Sequence, residues 1–265
     1  NGDDEHGMRW LQEQTPVRRV SYGLGEAAEI RATLRARNDS GTRIEVSSPQ
    51  GSWSVALPLL GDFNVSNYLA AFSALLSLGL EPDALVKATT ALKSVAGRLE
   101  IVTLDGGPRV VIDYAHTPDA LAKTLNALRK HCPGRLWCVF GCGGDRDPGK
   151  RSLMGEIASR LADQVVVTDD NPRSEDPDSI AQAIVAGCLP GRSMQVVRPR
   201  EKAILQALLN AAPQDWVLLA GKGHETYQEI QGVKYTFSDH SMVKACWHAA
   251  VDRKLPHGLE EARVR

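Results

Sequence analysis

From Gly97 onward the chain repeats one grammar, and that grammar restricts the fold more than any other feature. Apolar runs at 110–114, 136–140, 164–168, 194–197 and 216–220 alternate with amphipathic stretches at about 118–131, 151–162, 177–187, 200–211 and 239–252. A further run at 100–104 precedes them. A short run with no polar alternation reads as a strand covered on both faces, because a half-exposed strand would place a polar residue at every second position. Strands separated by helices are joined by crossovers and lie parallel. The fold class expected is therefore α/β, with a doubly wound parallel sheet in the C-terminal part. One helix start is legible in detail: Thr117 as N-cap, Pro118 next, Asp119 in the first turn, then Leu121, Leu125 and Leu128 on one face.

The preceding part follows different rules. Apolar and polar residues alternate through Ile30, Ala32 and Leu34, then Ile44 and Val46, then Trp53, Val55 and Leu57. Turn residues fall between them at Asn38-Asp39-Ser40-Gly41 and Pro49-Gln50-Gly51, so a small antiparallel meander is expected. A nearly all-apolar helix is expected over 67–78, stopped by Gly79, and a second over 83–95, broken at Gly97. This change of pattern divides the 265 residues into two domains, 1–96 and 97–265.

Composition narrows the function. Lys plus Arg number 31 against 32 Asp plus Glu, a balance that points to neither nucleic acid nor an anionic membrane. No apolar run approaches the roughly 20 residues of a membrane span, and no signal peptide is visible. Five cysteines without a CxxC pair imply free thiols and a reducing compartment, hence a cytoplasmic protein, expected as a monomer. Cys138 and Cys142 lack the His companions of a zinc site, so no metal site is expected. The charged segment from Leu255 reads as a frayed end. Asn1-Gly2-Asp3-Asp4-Glu5 reads as a loop following a strand upstream, so the sequence is expected to be a fragment.

Open α/β sheets bind ligands beyond the carboxyl ends of their strands. Four such ends here carry unusual residues: Asp113-Tyr114-Ala115-His116-Thr117, Gly141-Cys142-Gly143-Gly144-Asp145-Arg146, Asp170-Asn171-Pro172-Arg173 and Gly221-Lys222-Gly223-His224-Glu225. The opposite ends carry ordinary turns such as Cys132-Pro133-Gly134. The turn at 169–173 sets an acid pair, Asp169 and Asp170, an amide and a guanidinium together. Arg matches the two oxygens of a carboxylate, while Asp and Asn accept from an ammonium, so this turn can grip an amino acid at both charges, or can be a polar turn with Pro at its corner. Gly141, Gly143 and Gly144 permit close backbone approach and free N–H groups for an anion. Arg146 can meet a carboxylate or phosphate, or pair with Asp145 or Asp147. Glu225 can accept an ammonium or sit solvated at a helix start. His116 can bind phosphate or satisfy a turn. Asn64 and Asn67, three residues apart, share one helix face, and capping accounts for one amide and not both. Arg98 stands where the two patterns meet. No Ser/His/Asp or Cys/His triad is legible.

Taken together, the strings GDFNVSNYLAA, AGRLE, VVIDYAHTPDAL, CVFGCGGDRDPGKR, VVVTDDNPRSEDP and LLAGKGHETYQ resemble the Mur ligase family, ATP-dependent enzymes that form amide bonds in peptidoglycan assembly. They occur in family order across residues 61–228. The resemblance implies that 1–96 is the C-terminal remnant of the central ATP-binding domain, a small antiparallel sheet with two helices. It also implies that 97–265 is a Rossmann-like amino-acid-binding domain. It assigns Asn64, Asn67, Arg98, Asp113 and His116 to ATP, and Arg146, Asp170, Asn171, Pro172, Arg173, Gly221 and Glu225 to the amino-acid pocket. In that family Asp-Asn-Pro-Arg marks members that add meso-2,6-diaminopimelate to UDP-N-acetylmuramoyl-L-alanyl-D-glutamate, and lysine-adding members depart at the Arg. The two small molecules are thus the implied substrates, with ATP and Mg²⁺ as cofactors.

The family's phosphate-binding loop, its Mg²⁺ ligands, its carbamylated Lys and its UDP-sugar domain have no counterpart in this sequence. The expectation is a ligase as a whole protein, with this piece inactive alone and carrying no catalytic residue, and with apolar surface exposed in 1–96. Two alternatives stay open: a stand-alone amino-acid-binding module, and a related ligase that adds L-lysine or a glutamate tail.

Overall fold

The computed structural model describes residues 1–252, and the segment expected to fray from Leu255 lies outside the described residues. The chain divides into two compact units, Asn1–Ser94 and Val95–Arg265.

The first unit comprises α1 (Glu5–Gln12), β1 (Tyr22–Gly23), β2 (Ile30–Asn38), β3 (Gly41–Ser48), β4 (Gly51–Leu57), α2 (Asp62–Ser77) and α3 (Pro82–Thr89). Strands β2, β3 and β4 form the expected antiparallel meander, with β1 added in parallel to β2. Its alternation puts Ile30, Ala32, Ile44, Val46, Val55 and Leu57 on one face, packed against Val65, Leu69 and Phe72 of α2 and Leu85 of α3. Trp53 donates its indole N–H to Asp83 at 2.7 Å, tying β4 to α3.

Two boundaries and one element differ from expectation. Helix α2 begins five residues early, at Asp62, because an acid in its first turn and the Asn64 amide bonded back to the Leu60 carbonyl (2.9 Å) let the helix start before the apolar run. Helix α3 ends at Thr89 instead of 95. The Thr89 and Thr90 hydroxyls bond to the carbonyls of Leu85 and Lys87, a competition that disfavours further helix. Helix α1 makes a third helix where two were expected: Asp4 caps it by accepting from His6 and Gly7, yet it buries no residue, so no apolar stripe announces it. Trp10, Val17 and Leu78 are exposed in this unit.

The second unit holds β5 (Glu100–Val102), β6 (Arg109–Asp113), α4 (Pro118–Arg129), β7 (Leu136–Phe140), α5 (Gly149–Leu161), β8 (Gln164–Val167), α6 (Pro177–Val185), β9 (Met194–Val196), α7 (Arg200–Asn210), β10 (Trp216–Ala220), β11 (Tyr227–Ile230), β12 (Val233–Thr236) and α8 (Asp239–Asp252). The six-stranded sheet runs in the order β5-β6-β10-β7-β8-β9, parallel throughout except for the antiparallel edge strand β5. Strands β7 and β10 are buried at every position, as their unbroken apolar runs require. One face, with Val110, Ile112, Val139, Val217 and Leu219, packs against Ala203, Ile204, Ala207 and Leu208 of α7 and Val243 of α8. Helices α4, α5 and α6, which pack on one another, carry their own buried stripes. The hairpin β11–β12 was not legible beforehand. Its turn residues Gln231 and Gly232 both adopt positive φ (51° and 74°), a geometry usually signalled by Asn-Gly.

Because β6, β10, β7 and β8 are consecutive neighbours in the sheet, the four loops beyond their carboxyl ends lie side by side.

Candidate functional site

Those loops enclose a cleft of about 500 Å³. It is lined by His116, Arg146, Asp170, Asn171, Arg173, Gly221 and Glu225 of the expected site, together with Tyr114, Lys150 and Tyr227, among others.

The glycine-rich loop after β7 lines the cleft at Gly141 and Gly143 and also packs closely on the loop after β8. A Cβ on Gly141 would lie 2.1 Å from the Thr168 carbonyl oxygen, and one on Gly144 would lie 1.9 Å from that of Pro172. The close approach is made to the loop after β8, and the Gly144 N–H is taken by the Asn171 carbonyl at 2.9 Å instead of being free for an anion. The two loops are further pinned by Asp145. Its carboxylate accepts from the Ser174 hydroxyl (2.7 Å) and N–H (3.1 Å), bonds that hold its carboxyl below the usual range. Glu175 accepts from Arg151 at 2.8 and 2.9 Å. Pro172 is buried in this seam and is not part of the cleft lining.

Arg173 stands on a left-handed residue (φ 53°), held there because its N–H and C=O bond to Glu229 (3.0 Å) and Gln231 (2.7 Å) of the hairpin. Its Nη1 donates to the Gly144 carbonyl at 2.8 Å, and its Nε lies 3.4 Å from a Glu229 carboxylate oxygen. Its Nη2 has no hydrogen-bond partner among the described residues. Arg146 is exposed and donates to the Asp145 backbone oxygen at 3.1 Å, not to the Asp145 or Asp147 carboxylates. Two guanidiniums therefore border the cleft with donors to spare.

The acceptor side is built by Asn171 and Glu225. The Asn171 amide nitrogen donates to Glu225 Oε2 at 3.0 Å, while its oxygen accepts from the Glu229 N–H at 3.0 Å. Lys222, fully buried, donates to the same Asn171 oxygen (3.1 Å) and the same Glu225 Oε2 (3.0 Å). Burial pushes the Asp170 carboxyl above its ordinary range, against the pull of the Arg200 and Lys222 charges and with a smaller push from Glu225. A Cβ on Gly221 would sit 2.5 Å from Asp170 Oδ2, which explains the glycine. Cys142, in the cleft wall, is pushed up to about 12 by burial, so it offers no thiolate.

Of the residues expected to face ATP, one lines this cleft. His116 lines the cleft, its Nδ1 2.8 Å from the Tyr114 oxygen and its ring 4.6 Å from that of Tyr114. Arg98 lies outside the lining, its guanidinium carbon 4.7 Å from the centre of the Tyr114 ring. Asp113 also lies outside it. Its carboxylate accepts from Leu99 N (2.9 Å), Ala115 N (2.8 Å) and Thr124 Oγ1 (3.2 Å), so it splices β6, α4 and the turn before β5. Asn64 and Asn67 belong to the first unit and do share a face of α2, the Asn67 amide donating to the Asn64 oxygen at 3.3 Å.

Lys222, Lys150, Tyr114 and Tyr227 were missed as site residues. The signal for Lys222 was its place between two glycines at a strand's carboxyl end. Tyr227 had none, because the hairpin that carries it was not read. Among the described residues no three His, Cys, Asp or Glu side chains gather as a metal-holding group, and no helix is long and apolar enough to cross a membrane.

A parallel α/β sheet with both signs of charge gathered beyond its strand ends has the build of a small-molecule-binding domain. Residues 1–75 match the description Mur ligase middle domain, and residues 97–223 match Mur ligase, glutamate ligase domain. The chain belongs to the Mur ligase family.

It is 48% identical, over 90% of its length and 49% of theirs, to a UDP-N-acetylmuramoyl-L-alanyl-D-glutamate–2,6-diaminopimelate ligase from Vibrio vulnificus. The corresponding enzyme of Vibrio parahaemolyticus is 47% identical over the same shares. The chain thus spans about half the length of the curated relatives it matches. A solved structure of a ligase of the same name superposes with a TM-score of 0.70 at 40% identity, covering 88% of this chain and 48% of that one. The UDP-N-acetylmuramate-alanine ligase of Thermotoga maritima, at 19% identity over 89% of this chain and 48% of that one, shares the fold with a TM-score of 0.64.

Proposed function

We propose that this chain supplies the amino-acid-binding part of an ATP-dependent ligase joining meso-2,6-diaminopimelate to UDP-N-acetylmuramoyl-L-alanyl-D-glutamate. The observation that carries the reading is that Arg146, Arg173, Asn171 and Glu225 line one cleft. Diaminopimelate has an amino-acid group at each end. One end must be held while the amine of the other attacks, and the held end is a zwitterion. Its carboxylate fits the spare donors of Arg173 and Arg146, and its ammonium fits Glu225. The names of the relatives support the same substrates.

In this reading ATP supplies the phosphoryl group that activates the nucleotide substrate's carboxylate, and the incoming amine displaces phosphate to form the amide. This chain's residues grip the far end of the diamino acid and exclude partners lacking a second carboxylate. Asn64 and Asn67, on one face of α2, are the proposed amides toward the adenine, and Arg98, Asp113 and His116 the proposed contributors from the second unit. For Asp113 that role passes through the backbone it splices, since its carboxylate oxygens already have donors. Among the described residues no three His, Cys, Asp or Glu side chains gather to hold a magnesium ion, and no step here depends on one.

Calorimetry of the 265-residue chain against meso-diaminopimelate and L-lysine tests the reading. L-lysine lacks the second carboxylate, so it should bind at least about a hundredfold more weakly, because the guanidiniums would be left unpaired. Equal or tighter binding of L-lysine removes the diacid site.

A further inference from the structure

Lys222 is an expensive residue to bury. Its side chain is fully excluded from solvent, and a buried ammonium is tolerated only where acceptors surround it. The backbone goes to some length to put it there. Gly221 and Gly223 on either side adopt positive φ, 108° and 52°, turning the end of β10 inward. Lys222 does not line the cleft. It sits behind Asn171, Glu225 and Tyr227, which do, with its Nζ 5.8 Å from the centre of the Tyr227 ring.

Its two hydrogen bonds are what matter. An Asn side chain can present either its oxygen or its nitrogen to a given neighbour. The Asn171 oxygen faces two donors at once, Lys222 Nζ and the Glu229 N–H, so the amide is fixed with its nitrogen toward Glu225. Lys222 and that nitrogen both contact Glu225 Oε2, and Oε1 has no hydrogen-bond partner among the described residues. The surrounding charges are Asp170 after β8, the Arg200–Asp239 pair between α7 and α8, and the Arg173–Glu229 pair. Lys222 is the cation placed directly against the Asn171–Glu225 couple.

We propose that Lys222 is a positioning residue: from behind the cleft wall it sets the Asn171 amide and clamps one oxygen of Glu225, leaving the other for the ammonium of the held substrate end. This rests on the amino-acid-binding reading above and deepens it.

The test is Lys222→Met, which keeps an unbranched chain and removes the charge, in the 265-residue chain. Two readouts need no ligand. The Asn171 side-chain amide resonances should shift and lose protection from exchange. The Asp170 carboxyl, released from the attraction of Lys222, should titrate higher than in the parent. With thermal stability checked alongside, meso-diaminopimelate should bind about tenfold or more weakly, the loss expected when a buried charged partner is removed. An unchanged Asn171 amide, or undiminished binding in a folded variant, overturns the proposal. If the variant does not fold, the Lys222 Nζ resonance of the parent decides. A slowly exchanging Nζ supports the assignment, and one that exchanges like a surface lysine overturns it. A parent chain that binds no meso-diaminopimelate fails the functional reading instead, a result separate from the ligand-free Asn171 signal.

Discussion

At the amino end of the six-stranded sheet Asp215 meets four donors, whereas at the carboxyl end Asp170 meets one. The Asp215 carboxylate accepts from Arg135 N (2.8 Å), Arg135 Nε (3.2 Å), Trp137 Nε1 (3.2 Å) and Ala212 N (3.1 Å). Asp170 accepts from Asn171 N at 2.7 Å. Burial pushes both carboxyls up. At Asp215 the N–H groups of Arg135, Ala212 and Trp137 outweigh it, and the carboxyl ends below its ordinary range. At Asp170 the charges of Arg200 and Lys222 do not outweigh it, and the carboxyl ends above. Donor count and depth of burial together separate the two: Asp215 has four donors against its desolvation, Asp170 one. One end of the sheet is closed on itself, and the other holds charge still open to a ligand.

The comparison is tested first where the carboxyl end is most dependent on one group. Arg200 and Asp239 are both fully buried and paired at 2.7 and 2.8 Å, and Arg200 also donates to the carbonyl oxygens of Ala220 (3.1 Å) and Asp169 (3.4 Å). It binds the ends of β8 and β10 beneath the open cleft. Arg200→Leu strands the Asp239 charge and should cost about 3–5 kcal/mol of stability. Urea denaturation followed by the fluorescence of the buried Trp137 and Trp216 measures it. A loss below about 1 kcal/mol would mean that the floor of the cleft is held by packing alone.

The next effect is at the closed end. Asp215→Ala leaves the Trp137 indole and two backbone N–H groups without their acceptor, so a loss of about 2–3 kcal/mol is expected at neutral pH. The folded carboxyl lies below its unfolded value, so this contribution is present above about pH 4 and lost as pH falls through the folded value. The parent and variant stabilities should therefore converge in acid. A gap that holds constant with pH would show that Asp215 acts by shape and not by charge.

The same contrast decides what could be read from the sequence. The strands Leu136–Phe140 and Trp216–Ala220 were legible because complete burial leaves no polar position to blur the pattern, and α4 because Thr117 caps it through Ala120 N at 3.3 Å. The hairpin β11–β12 was not, since Val233, Lys234, Tyr235 and Thr236 are all exposed and leave no alternation to see. In the site, side chains that face the cleft stood out as odd polar residues at strand ends. Those working from behind it did not: Lys222 passes for a loop lysine, and the partners that bury it lie 51 residues away at Asn171 and three away at Glu225. Local pattern carries the period of a strand; it does not carry which distant acceptors a turn will bring together.

The smallest effect sharpens the comparison most, because its sign is opposite. An acid whose folded value is raised costs stability when it ionises, so the parent should lose stability as pH rises from the unfolded value through the folded one. Asp170→Asn keeps an oxygen for the Asn171 N–H and removes the charge. Near neutral pH it should stabilise the chain, by about 1 kcal/mol, since a buried, underbonded charge is replaced by a neutral amide. In acid, where the parent carboxyl is protonated, the gain should vanish. The same substitution should weaken meso-diaminopimelate binding in calorimetry, because Asp170 is among the residues lining the cleft. Stability gained with affinity lost would mark Asp170 as a group retained for its ligand. A variant that is destabilised as Asp215→Ala is would make the two ends of the sheet alike, and the unmatched charge beside the cleft would then be part of the scaffold.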